Sequence, residues 1–123
     1  MLEVTVDEAA RVAVLEPEGA LSERDFELAA AAIDPLIEKY GALAGIVIHA
    51  ESFPGWASFA ALISHLRFVR DHHQKVTRLA LVTDSVIAGF AETLGGHFLK
   101  AEIRAFAYPD FDRARNWVAQ APR

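Results

Sequence analysis

Five histidines and a scatter of carboxylates are the side chains here with acid-base or metal chemistry open to them, and no cysteine accompanies them. Without thiols, disulfides, thiolate metal sites, iron-sulfur clusters and cysteine nucleophiles are excluded. His72 and His73 are neighbours, and successive helical residues point about 100° apart, so the pair cannot clamp one ion by itself. His65 precedes His72 by two turns, with no carboxylate at an intervening three- or four-residue step. The pair suits the last turn of a helix, where positive charge meets the negative end of the dipole, and no metal site is expected. His49, Asp84 and His97 are the acid-base candidates. Neither histidine has a Ser, Thr or carboxylate tied to it by spacing. The G-x-x-x-x-G-K-S/T, G-x-G-x-x-G, G-x-S-x-G and H-E-x-x-H patterns are all missing. Gly41, Gly45, Gly55, Gly89, Gly95 and Gly96 are spaced as stops and turns, not as a phosphate cradle. Neither catalysis nor a cofactor is expected.

The other notable chemistry is apolar. Phe53-Pro54-Gly55-Trp56 sets two large rings around a turn, in a segment that should lie near the surface. Such rings grip an apolar ligand, enter a membrane interface or anchor a partner; the alternative is that they fold down as a lid over the local core. In an open α/β sheet, ligands meet the loops at the carboxyl ends of parallel strands, which here are residues 49–56, 83–85 and 108–110. Thr83, Asp84 and Ser85 also read as a helix cap.

The elements that must position these residues follow from periodicity. Leu2, Val4 and Val6 alternate with polar neighbours, as do Val12 and Val14, which predicts two half-buried strands joined as a hairpin through residues 7–10. Pro17 and Gly19 end the pairing. Ser22 and Asp25 form a capping box, and Phe26, Ala29, Ala30, Ile33, Leu36, Ile37 and Tyr40 continue as an amphipathic helix to Gly41. Pro35 inside it predicts a kink or a break. Ile46-Val47-Ile48 and Leu79-Ala80-Leu81-Val82 read as strands covered on both faces. Phe59, Leu62, Ile63, Leu66 and Val69 predict the helix between them. Val86, Ile87, Phe90 and Leu94 predict a third helix, stopped at Gly95-Gly96. Ile103, Ala105 and Ala107 suggest a fifth strand, and Phe111, Ala114, Trp117, Val118 and Ala121 a last helix capped by Asp110. The expected fold is α/β: a mixed five-stranded sheet, antiparallel hairpin first and parallel strands after, with about four helices.

At 123 residues and 53% hydrophobic, the chain is sized for one domain spanning residues 1–123. No apolar run reaches the ~18 to 20 residues that span a bilayer, and no export signal precedes the first strand. A cytoplasmic location fits. The formal charge of -5 argues against nucleic acid, but it is unevenly spread. Residues 1–61 hold three basic and eleven acidic side chains, residues 62–123 nine and six. A local basic surface therefore remains open, and such a dipole can steer association.

Phe53-Pro54-Gly55-Trp56 before a helix, the helix end Asp71-His72-His73, the strand at residues 78–84, then Glu102-Ile103-Arg104-Ala105-Phe106 and the closing Ala114-Arg115-Asn116-Trp117 recur in order over nearly the whole chain. This set resembles the SpoIIAA-like proteins, small bacterial domains related to STAS domains and to the CRAL-TRIO lipid-binding fold. Where relatives tend to carry tryptophans after the fourth strand, this chain has Ile87 and Phe90. The resemblance implies two functions. In the CRAL-TRIO direction, a small nonpolar or amphipathic ligand sits between the sheet and the second and third helices, against Phe53, Trp56, Phe59, Ile87 and Phe90, with peripheral membrane contact. That non-enzymatic binding module is the main expectation. In the STAS direction, the domain docks a regulatory protein partner, as antagonists of anti-sigma factors do, and Ser58 is the nearest candidate for phosphorylation. The flanking Asp-Ser-Ser-Gly pattern of that switch is missing. Homodimerisation through apolar helix faces is a further option.

Overall fold

Leu2, Val4 and Val6 lie on β1 (Leu2–Asp7), which pairs antiparallel with β2 (Val12–Pro17) in a register running from Asp7↔Val12 to Leu2↔Pro17. The computed structural model describes residues 2–18, 22–40, 43–51, 76–84 and 102–121. In the hairpin turn the Asp7 carboxylate accepts the Ala10 N–H at 3.1 Å, and Arg11 takes the left-handed conformation, φ 58°. The Arg11 carbonyl then accepts the Ala44 N–H at 2.9 Å, which docks the turn on the start of β3 (Leu43–His49).

β2 and β3 pair in parallel, as do β3 with β4 (Val76–Val82) and β4 with β5 (Glu102–Phe106), so the sheet order is β1-β2-β3-β4-β5. The expected mixed five-stranded sheet is the observed one. Two details differ. Val12, Ala13, Val14 and Leu15 are all buried, so β2 does not alternate as a half-buried strand would; both faces of the sheet are covered there. On β5 the buried residue is Phe106, while Ala105 is exposed and Ala107 lies beyond the strand. As the last strand in the sheet order, β5 has less to bury than the interior strands.

α1 (Glu23–Tyr40) begins at the predicted capping box. The Asp25 N–H donates to Ser22 Oγ at 3.3 Å, and the Asp25 carboxylate accepts the Ser22 N–H at 2.9 Å and Oγ–H at 3.0 Å. The other carboxylate oxygen accepts the Leu2 N–H at 3.2 Å, pinning the start of β1 to the helix. The Ser22 N–H is the main influence holding the Asp25 carboxyl below its ordinary 3.8, with the Ser22 hydroxyl adding to it. A lowered carboxyl contributes stability above its ordinary range and loses it as the pH falls through the lowered value. Asp25→Ala is therefore expected to cost about 1 kcal/mol near neutral pH, a deficit that narrows towards about pH 3. Urea denaturation of both proteins at the two pH values measures it. α1 runs unbroken through Pro35 instead of dividing there. Ile33 and Leu36 on either side are buried, and that packing holds the helical path despite the lost backbone donor.

At the far end of α1, Glu8 accepts the Lys39 ammonium at 2.6 Å and the Tyr40 hydroxyl at 2.7 Å. These contacts lower the Glu8 carboxyl, and the Glu8 partner raises the Lys39 ammonium. α2 (Phe111–Ala119) follows a 3-10 turn, Tyr108–Asp110. Asp110 stands at its N-cap position but makes no side-chain capping bond; it lies 3.9 Å from Arg113 instead. Ala114, Val118 and Ala121 pack with Val12, Val14, Ala44, Val47, Ala80, Val82 and Phe106 in one apolar cluster. The helices expected after β3 and β4 fall outside the described residues.

Candidate functional site

The carboxyl ends of β2, β3, β4 and β5 come together at one edge of the sheet, where hydrogen bonds between loops join them. The Ala50 N–H donates to the Val82 carbonyl at 3.0 Å, Thr83 N–H to Phe106 at 3.1 Å, and Asp84 N–H to Glu51 at 3.2 Å. The Asp84 carboxylate accepts the Tyr108 N–H at 3.2 Å. Asp84 thus anchors the first residue of the 3-10 turn, and the helix that residues 83–85 are expected to cap lies outside the described residues.

A hollow of about 420 Å³ opens at this edge, lined by Glu3, Glu16, Pro17, Glu18, His49, Ala50, Glu51 and Tyr108. Glu3 and Glu16 are register partners on β1 and β2, so two like charges face each other across the pair, an unfavourable arrangement by itself. His49 is the one group among these residues that can become cationic. Its Nδ1 lies 3.3 Å from the Glu16 carboxylate, with the side chain only 14% exposed. Its ring stacks on Tyr108 at 4.6 Å and on Phe111 at 4.2 Å between centroids.

Of the acid-base candidates, His49 stands in the hollow, Asp84 does not line it, and His97 lies outside the described residues. A carboxylate beside an imidazole can orient it as a base. Among the described lining residues there is no serine, threonine or cysteine for that base to activate. What the hollow presents is negative charge with aromatic backing, suited to holding a group. Among the described residues no three His, Asp or Glu side chains converge as a metal site.

Phe53, Trp56, Phe59, Ile87, Phe90 and Ser58 all lie outside the described residues, as do His65, His72 and His73. Sequence reasoning found the loops that meet at this edge and named His49 and the 108–110 segment. It missed Glu3, Glu16 and Glu18. Their signal was present in the acidic surplus of the first half, and in Glu16-Pro17-Glu18 where a strand must end.

A sheet that opens with an antiparallel hairpin and continues in parallel, with the strand ends gathered at one edge, is the α/β arrangement of STAS-type domains. The SpoIIAA-like family model matches residues 12–119, and the chain belongs to that family. No curated protein matches the chain, and no solved structure does. No helix among the described residues is long and apolar enough to cross a membrane.

Proposed function

We propose that this protein is a regulatory domain that works by docking another protein, in the manner of STAS domains, without chemistry of its own. The observation that carries the reading is the SpoIIAA-like match over residues 12–119, laid on a mixed sheet of the same type. The hollow adds support: its described lining gathers carboxylates around one histidine, a polar surface suited to holding a group of a partner. Nothing among the described residues favours a lipid-like ligand. The hollow described at the sheet edge is rich in carboxylates, and the rings of the apolar-ligand reading fall outside the described residues.

In-cell cross-linking, affinity purification and mass spectrometry are expected to recover one protein in roughly equal amount with the chain. Reconstitution from the two purified proteins then gives a saturable calorimetric isotherm. A chain recovered alone after cross-linking overturns the reading. Ser58 is the proposed site of control by phosphorylation, because added charge on a docking surface repels or desolvates unfavourably. Ser58→Asp is expected to weaken the reconstituted complex at least about tenfold, equivalent to about 1.4 kcal/mol. An unchanged isotherm removes Ser58 from the interface.

A further inference from the structure

The sheet face that packs on α2 ends at β5 in a cluster of two arginines and two rings. Arg78, opposite Glu102 in the β4–β5 register, is committed to neighbours within the fold, although its buried Nε makes no hydrogen bond. Its Nη1 donates to the Trp117 carbonyl at 2.6 Å, its Nε lies 3.3 Å from the Glu102 carboxylate, and its guanidinium carbon is 4.7 Å from the Trp117 ring centre. Its side chain is 18% exposed. It ties β4, β5 and the end of α2 together.

Arg104 is different. It is exposed on the neighbouring strand, with its guanidinium carbon 4.9 Å from the Phe106 ring and 6.0 Å from the Trp117 ring. Those two rings lie 5.8 Å apart, tilted at 55°. No carboxylate engages Arg104 among the described residues, and the nearby Glu102 already faces Arg78. Contact with the two rings restrains the side chain before any partner arrives, and with no carboxylate on it among the described residues its N–H fork is available to take one in two parallel hydrogen bonds. β5 pairs with β4 alone among the described residues. Arg78 and Arg104 against Glu102 leave a net positive charge on this stretch of β4 and β5, which is complementary to an acid.

We propose that Arg104, held on Phe106 and Trp117, anchors a docking surface for an acidic segment of a protein partner, with a partner carboxylate seated on the guanidinium fork. This inference rests on the protein-docking reading and locates one of its contact surfaces. The test uses the full chain and a fluorescein-labelled peptide of alternating Glu and Val, with the matching Gln and Val peptide as control, read by fluorescence anisotropy. The Glu peptide is expected to bind at least about tenfold tighter than the Gln peptide, and Arg104→Ala to remove that difference. Arg104→Lys keeps the charge but not the fork and restores only part of it.

Arg104 is exposed, so the variants are expected to melt as the parent does, which circular dichroism checks. Equal binding of the two peptides overturns the proposal, and so does an Arg104→Ala protein that still prefers Glu. A dimer in sedimentation velocity that Arg104→Ala dissolves also overturns it, since the occupant is then a second copy. A partner still recovered by cross-linking in any of these cases leaves the docking reading standing. A chain that passes the peptide test but recovers no partner loses that reading and keeps the surface.

Discussion

Gly45→Ala is expected to destabilise the protein by about 3 kcal/mol or more, lowering the melting midpoint by roughly 10 °C. Gly45 lies inside β3, paired in register with Arg78 of β4 and facing Val118 of α2. A methyl group there would run into the Arg78 backbone carbonyl, with the carbonyl carbon at 2.9 Å and Val118 Cγ1 at 2.6 Å. Neither obstacle can simply step aside. The carbonyl belongs to the β3–β4 ladder, and Val118 is fully buried in the cluster beneath α2. The absence of a side chain thus sets how closely α2 approaches the sheet. The double variant Gly45→Ala with Val118→Ala separates the two collisions, because trimming Val118 relieves the side-chain clash and leaves the backbone one. Partial recovery relative to the two single variants is expected in urea denaturation. Full recovery would mean that α2, not β4, sets the limit.

The second large effect is Ile48→Ala, expected to cost about 3 kcal/mol, with Ile48→Val costing about 1 kcal/mol. Ile48 has no exposed surface and stands in a cross-strand row with Leu15 of β2 and Leu81 of β4, both buried. A central strand flanked on both sides cannot collapse into the space left behind, so most of the lost volume remains as a cavity. The next residue is His49, whose ring stacks on Tyr108 and Phe111. Loosening β3 at position 48 is therefore expected to reach the hollow. The His49 ring resonances in a proton-carbon NMR spectrum of Ile48→Ala should shift, while those of Ile48→Val stay near the parent's. Denaturation curves that place Ile48→Ala within about 1 kcal/mol of the parent would show that the core repacks around the gap.

How much of this was legible in the chain depends on whether the signal was local. The β1–β2 hairpin, the Ser22 and Asp25 capping box, the buried runs at 46–48 and 79–82, and the α2 stripe of Ala114, Val118 and Ala121 are all observed where periodicity put them. Each depends on residues within a turn or two of one another. The misreadings have the opposite character. Gly45 has the composition of a turn and serves as a point of close approach, because the partners that require it are Arg78 and Val118. Of the kink or break expected at Pro35, the break does not occur, because α1 continues through it with Ile33 and Leu36 buried on either side. Asp110 is well placed to cap α2 and makes no capping bond.

The candidate site divides in the same way. The residues 49–51, 83–84 and 108 were set at one edge by the rule for parallel strands, and they are joined there by hydrogen bonds. Glu3 and Glu16 joined them only because β1 pairs antiparallel with β2, which brings its first residues beside the last residues of β2.

By itself the sequence determined the class of the protein. Strand and helix periods, the capping residues and the absence of cysteine are local or compositional properties, and they pointed to a mixed α/β sheet and excluded thiol chemistry, while the SpoIIAA-like family came from the resemblance of its motifs and the family match. Only the tertiary structure decided which side chains from distant positions share a surface. His49 meets Glu16 across 33 positions, and Arg78 meets the Trp117 carbonyl across 39. Strand order and register create those meetings, and both are set by packing between segments rather than by the preferences of any one segment.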